Sequence, residues 1–146
     1  MPYQAVILTV SDSCAAGTRT DTSGPAIRAM LENAGFAVQA MQTVPDEEGQ
    51  ISAAIVHACD ILQADLVVTT GGTGLSPRDV TPEATLAVLD REIHAIPVAM
   101  WVEGLKSTPR AMLSRAVAGI RGHTLVLNVP GSEKAARENL GAVVAT

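Results

Sequence analysis

A glycine-rich loop followed by a charged pair is the part of this sequence best suited to chemistry. The chain runs from the apolar stretch Leu66–Thr70 into Gly71, Gly72, Thr73 and Gly74, and then reaches Arg78 and Asp79. Glycines let the main chain turn sharply and let a ligand approach bare backbone amides. A helix start follows, with Thr81 expected as the N-cap and proline in the first turn. Strand, loop, charged pair and helix N-terminus together are typical of an anion site.

The residues alone leave two interpretations of this loop open. It lacks the Gly-Lys-Ser/Thr ending of a P-loop and the G-x-G-x-x-G pattern of dinucleotide-binding folds. A phosphate-binding loop and a tight turn between a strand and a helix therefore fit the pattern equally well.

Three more polar loops follow predicted strands, at residues 11–17, 45–49 and 128–132. In a parallel sheet the carboxyl ends of the strands lie at one edge, so the pattern predicts a single extended cleft there. Asp46 and the two acids after it have an ordinary alternative role, because carboxylates at a helix N-terminus interact well with the helix dipole and with water.

Hydrophobic periodicity places these loops between alternating strands and helices. The predicted strands are Gln4–Val10, residues 36–44, Leu66–Thr70 and Thr124–Val129. The predicted helices include residues 27–34, residues 51–62, a segment from Pro82 that turns Leu86, Leu89 and Ile93 inward, a segment from Pro97 to Leu105, and one from Glu133 that Ser132 caps. A turn at Gly122 and His123 predicts that residues 115–121 pair antiparallel with Thr124–Val129. The alternation predicts an α/β fold.

A basic segment stands out late in the chain. Residues 104–132 contain no Asp or Glu but include Lys106, Arg110, Arg115 and Arg121, whereas the whole chain has a net charge of −5. This asymmetry of charge fits a surface that faces an anion, and it fits a basic edge exposed to solvent equally well.

The composition limits the class of protein. A length of 146 residues suits a single domain, 1–146, and 47% hydrophobic residues supply its core. Scarce aromatic residues and a negative net charge argue against nucleic-acid and membrane-surface binding. Because the sequence lacks a long apolar run and a basic N-terminal region, we expect a cytoplasmic protein. Cys14 and Cys59 show no metal-ligand spacing and are expected as free thiols.

Four strings of this sequence resemble the family of molybdenum-cofactor biosynthesis proteins that includes MogA, MoaB, plant Cnx G domains and the gephyrin G domain. The glycine-loop string matches the pattern G-G-T-G-x-x-x-R-D-V-T-P-[DE]-A at every fixed position. The other three strings begin at Ser11, at Val44 and at Thr108, and the last of them continues to Ser132. The resemblance implies a three-layer αβα fold with a mostly parallel sheet, an antiparallel edge hairpin and assembly as a homotrimer.

The resemblance also implies a reaction, in which a molybdopterin adenylyltransferase moves AMP from Mg-ATP to the phosphate of molybdopterin and releases pyrophosphate. It implies Asp46 and Asp79 as catalytic carboxylates and as donors to Mg²⁺ beside the ATP phosphates. A molybdenum insertase of the same pathway is an implied partner. The implied nucleotide- and molybdopterin-binding residues are Ser11, Asp12, Gly71, Gly72, Thr73, Gly74, Arg78, Ser114, Arg115, Pro130, Gly131 and Ser132.

Within that family, Arg115 beside Ser114 is the expected grip on the pterin phosphate, because a guanidinium fork and a hydroxyl suit a phosphate. Arg78 and Arg110 are further candidates to hold the same phosphate. Two other functions remain open at this point. One is a MoaB-type paralogue that binds the pterin or forms a trimeric scaffold without efficient catalysis, and the other is a non-enzymatic interaction module.

Overall fold

A computed structural model describes residues 2–146 and contains six strands and six α-helices in that range. The strands are β1 Gln4–Val10, β2 Ala37–Val44, β3 Leu66–Thr70, β4 Arg91–Glu92, β5 Ala118–Arg121 and β6 Thr124–Val129. The helices are α1 Asp12–Ala15, α2 Ser23–Asn33, α3 Glu48–Val56, α4 Thr81–Leu86, α5 Ala95–Leu105 and α6 Glu133–Val143. A π-helical turn, His57–Ile61, extends α3, and a 3-10 turn, Pro109–Leu113, follows α5.

The strands form one mixed sheet in the order β2-β1-β3-β6-β5-β4. The four strands β2, β1, β3 and β6 are parallel, β5 pairs antiparallel with β6, and the short β4 pairs antiparallel with β5. The predicted α/β fold with its antiparallel hairpin is therefore confirmed, and the hairpin is covered on its outer side by β4.

Side chains of β1 alternate between two cores, one on each face of the sheet. Ile7 packs with α2, α5 and α6, whereas its neighbour Leu8 packs with α3 and α4. Both side chains are fully buried, and burying one aliphatic side chain of this size contributes about 1.5–3 kcal/mol. The resulting layers of helix, sheet and helix hold the parallel strands in place, so a single packed sheet positions the loops at their carboxyl ends.

Helix α4 is shorter than the sequence pattern predicts. It ends at Leu86, whose side chain is 43% exposed, so the prediction that Leu86 points inward is wrong. The chain leaves the helix because the next segment joins the sheet, where the amide of Asp90 donates to the carbonyl of Ile120. Gly119 permits this pairing, since a Cβ there would collide with the carbonyl of Arg91.

Helix α5 begins earlier than predicted, at Ala95 instead of Pro97. Proline is tolerated at that position because the amides of the first helical turn have no partner within the helix. No helix of residues 2–146 has the length and hydrophobicity that crossing a bilayer requires.

Candidate functional site

The predicted convergence of loops is present at the carboxyl edge of the sheet. A cleft of about 340 Å³ opens there, and we call it the first cleft. Its lining includes seven of the residues predicted from sequence, namely Ser11, Asp46, Gly71, Gly72, Asp79, Gly131 and Ser132. Loops far apart in the chain thus supply its carboxylates, its hydroxyls and its bare backbone.

The glycine loop needs glycine at its first two positions for geometric reasons. Gly71 and Gly72 have φ values of 103° and 70°, in the left-handed region that side chains disfavour. A Cβ on Gly71 would collide with the main-chain carbonyl of Val10, and one on Gly72 with the hydroxyl of Thr81. Gly74 is different, because its φ is not left-handed and a Cβ there would lie 2.9 Å from Oδ2 of Asp79. The loop therefore passes close to its neighbours while keeping its backbone open to the cleft.

Thr81 does not act as the N-cap that the sequence predicts. It is the first residue of α4, Val80 occupies the cap position, and the Thr81 amide donates to the carbonyl of Gly72 at 3.1 Å. The Thr81 hydroxyl is buried against Gly72 and has no hydrogen-bond partner among residues 2–146. The residue thus helps to hold the glycine loop and does not begin the helix by capping it.

Asp46 and Asp12 hold two of the loops together through reciprocal hydrogen bonds. The amide of Asp12 donates to Oδ2 of Asp46, and the amide of Asp46 donates to Oδ1 of Asp12, both at 2.9 Å. Burial raises the pKa of Asp46 above its ordinary value, and the nearby charges of Asp12 and Asp79 also favour that direction. An interaction with a cation would relieve the cost of keeping this carboxylate charged.

Arg78, predicted to bind phosphate, is paired with carboxylates of the same chain. Its Nε and Nη2 donate to the two carboxylate oxygens of Asp12 at 3.0 and 2.9 Å, and Nη2 also reaches Glu47 at 3.1 Å. The hydrogen bond to Arg78 lowers the pKa of Asp12. Arg78 therefore joins three loops, and its role as a phosphate ligand stays a prediction.

Arg115, the predicted grip on the pterin phosphate, also has partners within the chain. Its Nε donates to the carbonyl of Gly74 at 2.8 Å, Nη2 donates to the carbonyl of Asp79 at 2.7 Å, and Nη1 contacts Glu83 at 2.6 Å. Its own amide donates to the carbonyl of Thr73 at 2.8 Å. Arg115 thus clamps both ends of the segment that carries Asp79, and this arrangement gives it a structural role beside the predicted one.

Asp46 and Asp79 fit the donor set of a hard cation such as Mg²⁺. Oδ2 of Asp46 accepts from Asp12, and Oδ2 of Asp79 accepts from the amide of Ser76 at 3.0 Å. In each carboxylate Oδ1 has no hydrogen-bond partner among residues 2–146, and the same range contains no cluster of three metal-ligating side chains. Magnesium sites commonly use one or two carboxylates and complete the shell with substrate phosphates and water.

A second cleft of about 310 Å³ lies next to the first, and the hydroxyl-bearing Ser132 lines both. Gly72 faces the first cleft and Thr73 the second, so the glycine loop separates them. The second cleft is mostly apolar and takes in Arg110 and Ser114. Two adjoining clefts of different polarity can hold two ligands with their reactive ends in contact.

Most of the predicted basic segment is neutralised by ion pairs. Lys106 pairs with Glu103, Arg115 with Glu83 and Arg121 with Asp60. Of the four cations in the segment, Arg110 alone has no ion pair within residues 2–146. Of the two interpretations left open for this segment, a broad anion-facing surface is therefore reduced to one free guanidinium at the second cleft.

Two residues that line the first cleft, Arg19 and Asp21, lie on the segment between α1 and α2; sequence reasoning matched Asp21 to the family's first-loop pattern without assigning it to the site, and it missed Arg19. Asp21 accepts from the Thr9 hydroxyl at 2.7 Å and from the Gly24 amide at 3.0 Å, so it fixes the start of α2 to the sheet. The D-x-x-G spacing from Asp21 to Gly24 was a usable signal for that residue, whereas the residues before it follow no pattern.

Comparison with known proteins places these features in a family. Residues 6–146 match the family described as "Probable molybdopterin binding domain". A molybdopterin adenylyltransferase of Helicobacter pylori J99 is 40% identical over 141 residues, which cover 94% of this chain and 79% of that protein. Gephyrin of Dictyostelium discoideum is 43% identical over 148 residues, which cover 94% of this chain but only 20% of gephyrin.

A solved structure agrees with this assignment. The crystal structure of the molybdopterin biosynthesis enzyme MoaB from Thermus thermophilus superposes with a TM-score of 0.93 at 50% identity, covering 97% of this chain and 89% of that one. Sequence and fold agree over nearly the whole chain, and the chain belongs to the family of probable molybdopterin-binding domains.

Proposed function

We propose that this protein is a molybdopterin adenylyltransferase, which transfers AMP from ATP to the phosphate of molybdopterin and releases pyrophosphate. Relatives that carry this name are about 40% identical over nearly the whole chain. The observation that carries the proposal is the pair of adjoining clefts, one lined by carboxylates and bare glycine backbone and the other mostly apolar, on either side of the glycine loop. A reaction that joins a nucleotide to a ring-bearing phosphate needs two such sites in contact.

The first cleft suits the nucleotide. The amide of Gly71 donates to the carbonyl of Val129, whereas the amide of Gly72 has no hydrogen-bond partner among residues 2–146 and can bind a phosphate oxygen. Asp46 and Asp79 would share one Mg²⁺ with the nucleotide phosphates. When bound, that ion supplies positive charge that offsets the negative charge of the phosphates and orients them.

The second cleft suits the pterin. Its apolar walls can cover a flat ring system, and the free guanidinium of Arg110 with the hydroxyl of Ser114 can hold an anionic group. In this arrangement Arg110, one of the cations that the sequence offers for this phosphate, provides the charge in place of Arg115, the first choice from sequence.

The chemistry asks little of the chain except positioning and charge neutralisation. A phosphate oxygen of molybdopterin attacks the α-phosphorus of ATP, the bond from that phosphorus to the α,β-bridging oxygen breaks, and its electron pair leaves with pyrophosphate. The glycine loop holds the α-phosphate between the clefts. Arg78 and Arg115 keep the loops that carry Asp46 and Asp79 in register.

Three further expectations, about oligomeric state, cellular location and partner, accompany this proposal. We propose that the protein works as a homotrimer in the cytoplasm and passes its product to a molybdenum insertase. Helix α5 exposes Val98, Val102 and Leu105, whose side chains are 48%, 57% and 46% accessible, and they are candidates for contact with other copies. Sedimentation or light scattering of the purified protein gives its oligomeric state directly.

Purified protein with ATP, magnesium and molybdopterin tests the activity by release of pyrophosphate. Asp46→Asn and Asp79→Asn are expected to lower the rate about 100-fold or more, the order seen when a preorganised electrostatic contact is removed. Asp90→Asn is the matched control, because Asp90 caps the β5–β6 turn through the Gly122 amide and lines neither cleft. Pyrophosphate release at the wild-type rate by both variants would contradict the assignment. Pterin binding without any release by the wild-type protein would instead favour a MoaB-type binding paralogue.

A further inference from the structure

The first cleft has an imbalance of charge that the proposed function leaves unexplained. Its lining contains three carboxylates, those of Asp21, Asp46 and Asp79, and within residues 2–146 its only cation is Arg19. A nucleoside triphosphate would add several negative charges to a site that is already acidic. One divalent ion offsets only part of that charge, so the cleft needs further positive charge near the phosphates.

The other arginines near the cleft already bind acceptors of this chain. Arg78 is bound to Asp12 and Glu47, and Arg115 is bound to Glu83 and to two backbone carbonyls. Arg19, in contrast, makes no hydrogen bond or ion pair through its side chain to any described residue, although acids line the same cleft. Its guanidinium is therefore free to bind an incoming anion.

The backbone on both sides of Arg19 is anchored. On one side, the amide and the hydroxyl of Thr18 donate to the carbonyl of Ser13 at 3.0 and 3.1 Å. On the other side, Asp21 is fixed by Thr9 and Gly24. The turn that begins this segment contains Gly17, whose φ of 77° lies in the left-handed region. A Cβ there would contact no atom, so the backbone conformation favours glycine and a lack of space does not. Two residues, Arg19 and Thr20, lie between the anchors and face the cleft.

From this placement we propose that Arg19 binds the β- and γ-phosphates of the nucleotide and stabilises the pyrophosphate leaving group; the proposal rests on the proposed function. As the pterin phosphate oxygen forms its bond to the α-phosphorus, the bond from that phosphorus to the α,β-bridging oxygen breaks and its electron pair stays on pyrophosphate. The guanidinium of Arg19 hydrogen-bonds to the oxygens on which this charge grows. A planar fork of donors suits adjacent phosphate oxygens better than a single ammonium group does.

Calorimetric titration of ATP and AMP against Arg19→Gln and Arg19→Lys tests this assignment, because AMP lacks the two phosphates in question. Arg19→Gln is expected to weaken ATP binding about 10-fold or more, the order for losing a charge-assisted hydrogen bond, and to leave AMP binding unchanged. Arg19→Lys should recover part of the loss. Pyrophosphate release should fall further than ATP binding does in Arg19→Gln, since the contact strengthens as the leaving group gains charge.

Arg28→Gln is the matched control, because Arg28 is an exposed arginine on α2 that contacts Glu32 and Met41 and lines neither cleft. Equal losses for ATP and AMP in Arg19→Gln, or ATP binding at the wild-type level, would overturn the assignment. Wild-type protein that binds ATP no tighter than AMP would overturn it too. A wild-type protein that discriminates ATP from AMP through Arg19 but releases no pyrophosphate with molybdopterin would reject the proposed function and keep the assignment of Arg19.

Discussion

Replacing Arg115 by alanine tests whether this residue holds the glycine loop together. The substitution removes two hydrogen bonds from a charged donor to the carbonyls of Gly74 and Asp79, together with the ion pair to Glu83. Hydrogen bonds to charged groups contribute about 1.5–3 kcal/mol each, and because the Arg115 side chain is 36% exposed we take the lower end of that range. The ion pair to Glu83 is exposed and adds less than about 1 kcal/mol.

The expected loss for Arg115→Ala is therefore about 3–4 kcal/mol of unfolding free energy. For a domain of this size, each kcal/mol corresponds to about 2–4 °C in Tm, so the variant should melt about 6–16 °C below the wild type. Thermal unfolding followed by circular dichroism measures this shift. Glu83→Gln is the control, since it removes the exposed ion pair but leaves both carbonyl contacts, and it should lose less than about 1 kcal/mol.

The same variant separates the structural role of Arg115 from the phosphate-binding role that its sequence context suggests. If Arg115 clamps the loop, ATP and molybdopterin should both bind more weakly to Arg115→Ala, because the glycine loop borders both clefts. If Arg115 grips the pterin phosphate, the pterin alone should lose affinity. A variant that melts like the wild type, or a Glu83→Gln control that loses as much as Arg115→Ala, would refute the clamp.

Two further predictions concern the same loop. Gly72→Ala should lower the unfolding free energy by about 2 kcal/mol or more, because it forces a left-handed φ on a side chain that collides with Thr81. Gly49→Ala, in the first turn of α3 with open space around it, should be neutral or slightly stabilising, and equal denaturation midpoints for the two variants would contradict the reasoning. The second prediction concerns pH, because the hydrogen bond from Arg115 lowers the pKa of Glu83. The pair therefore stabilises the fold fully above the ordinary glutamate pKa of about 4.3. This contribution is lost as the pH falls through the lowered pKa. The difference in Tm between wild type and Glu83→Gln should accordingly be present at pH 7 and shrink as the pH falls below the ordinary glutamate pKa, and a difference that grows on acidification would show that the sign is wrong.

Features with a local cause could be predicted from the sequence. Strand alternation, helix periodicity and the loops at the strand ends depend on neighbouring residues, and the structure contains all four predicted parallel strands. The glycine loop belongs to this class as well, because Gly71 and Gly72 adopt left-handed φ values that their residue type permits. Once the strands are parallel, the meeting of Asp46 and Asp79 at one edge follows from topology alone.

The partners of the charged side chains could not be predicted in this way. Arg78 finds Asp12 across 66 residues of chain, and Arg115 reaches Gly74 across 41. A long, flexible cation can satisfy many acceptors, so its choice depends on which loops the folded sheet brings within a few ångströms of it. The early end of α4 has the same origin, since pairing of β4 with β5 outweighs the helical pattern of the segment.

The sequence by itself thus determined the alternating fold, the edge at which the site lies and the types of residue available there, because each follows from local conformational preference or from the parallel arrangement of the strands. Only the tertiary structure decided which cations are neutralised and which stay free. Arg78 and Arg115 became ties between loops, whereas Arg19 and Arg110 were left without ion pairs at the two clefts within the described residues. The reason is physical: an ion pair forms between groups that the fold brings together, and no local pattern records that distance.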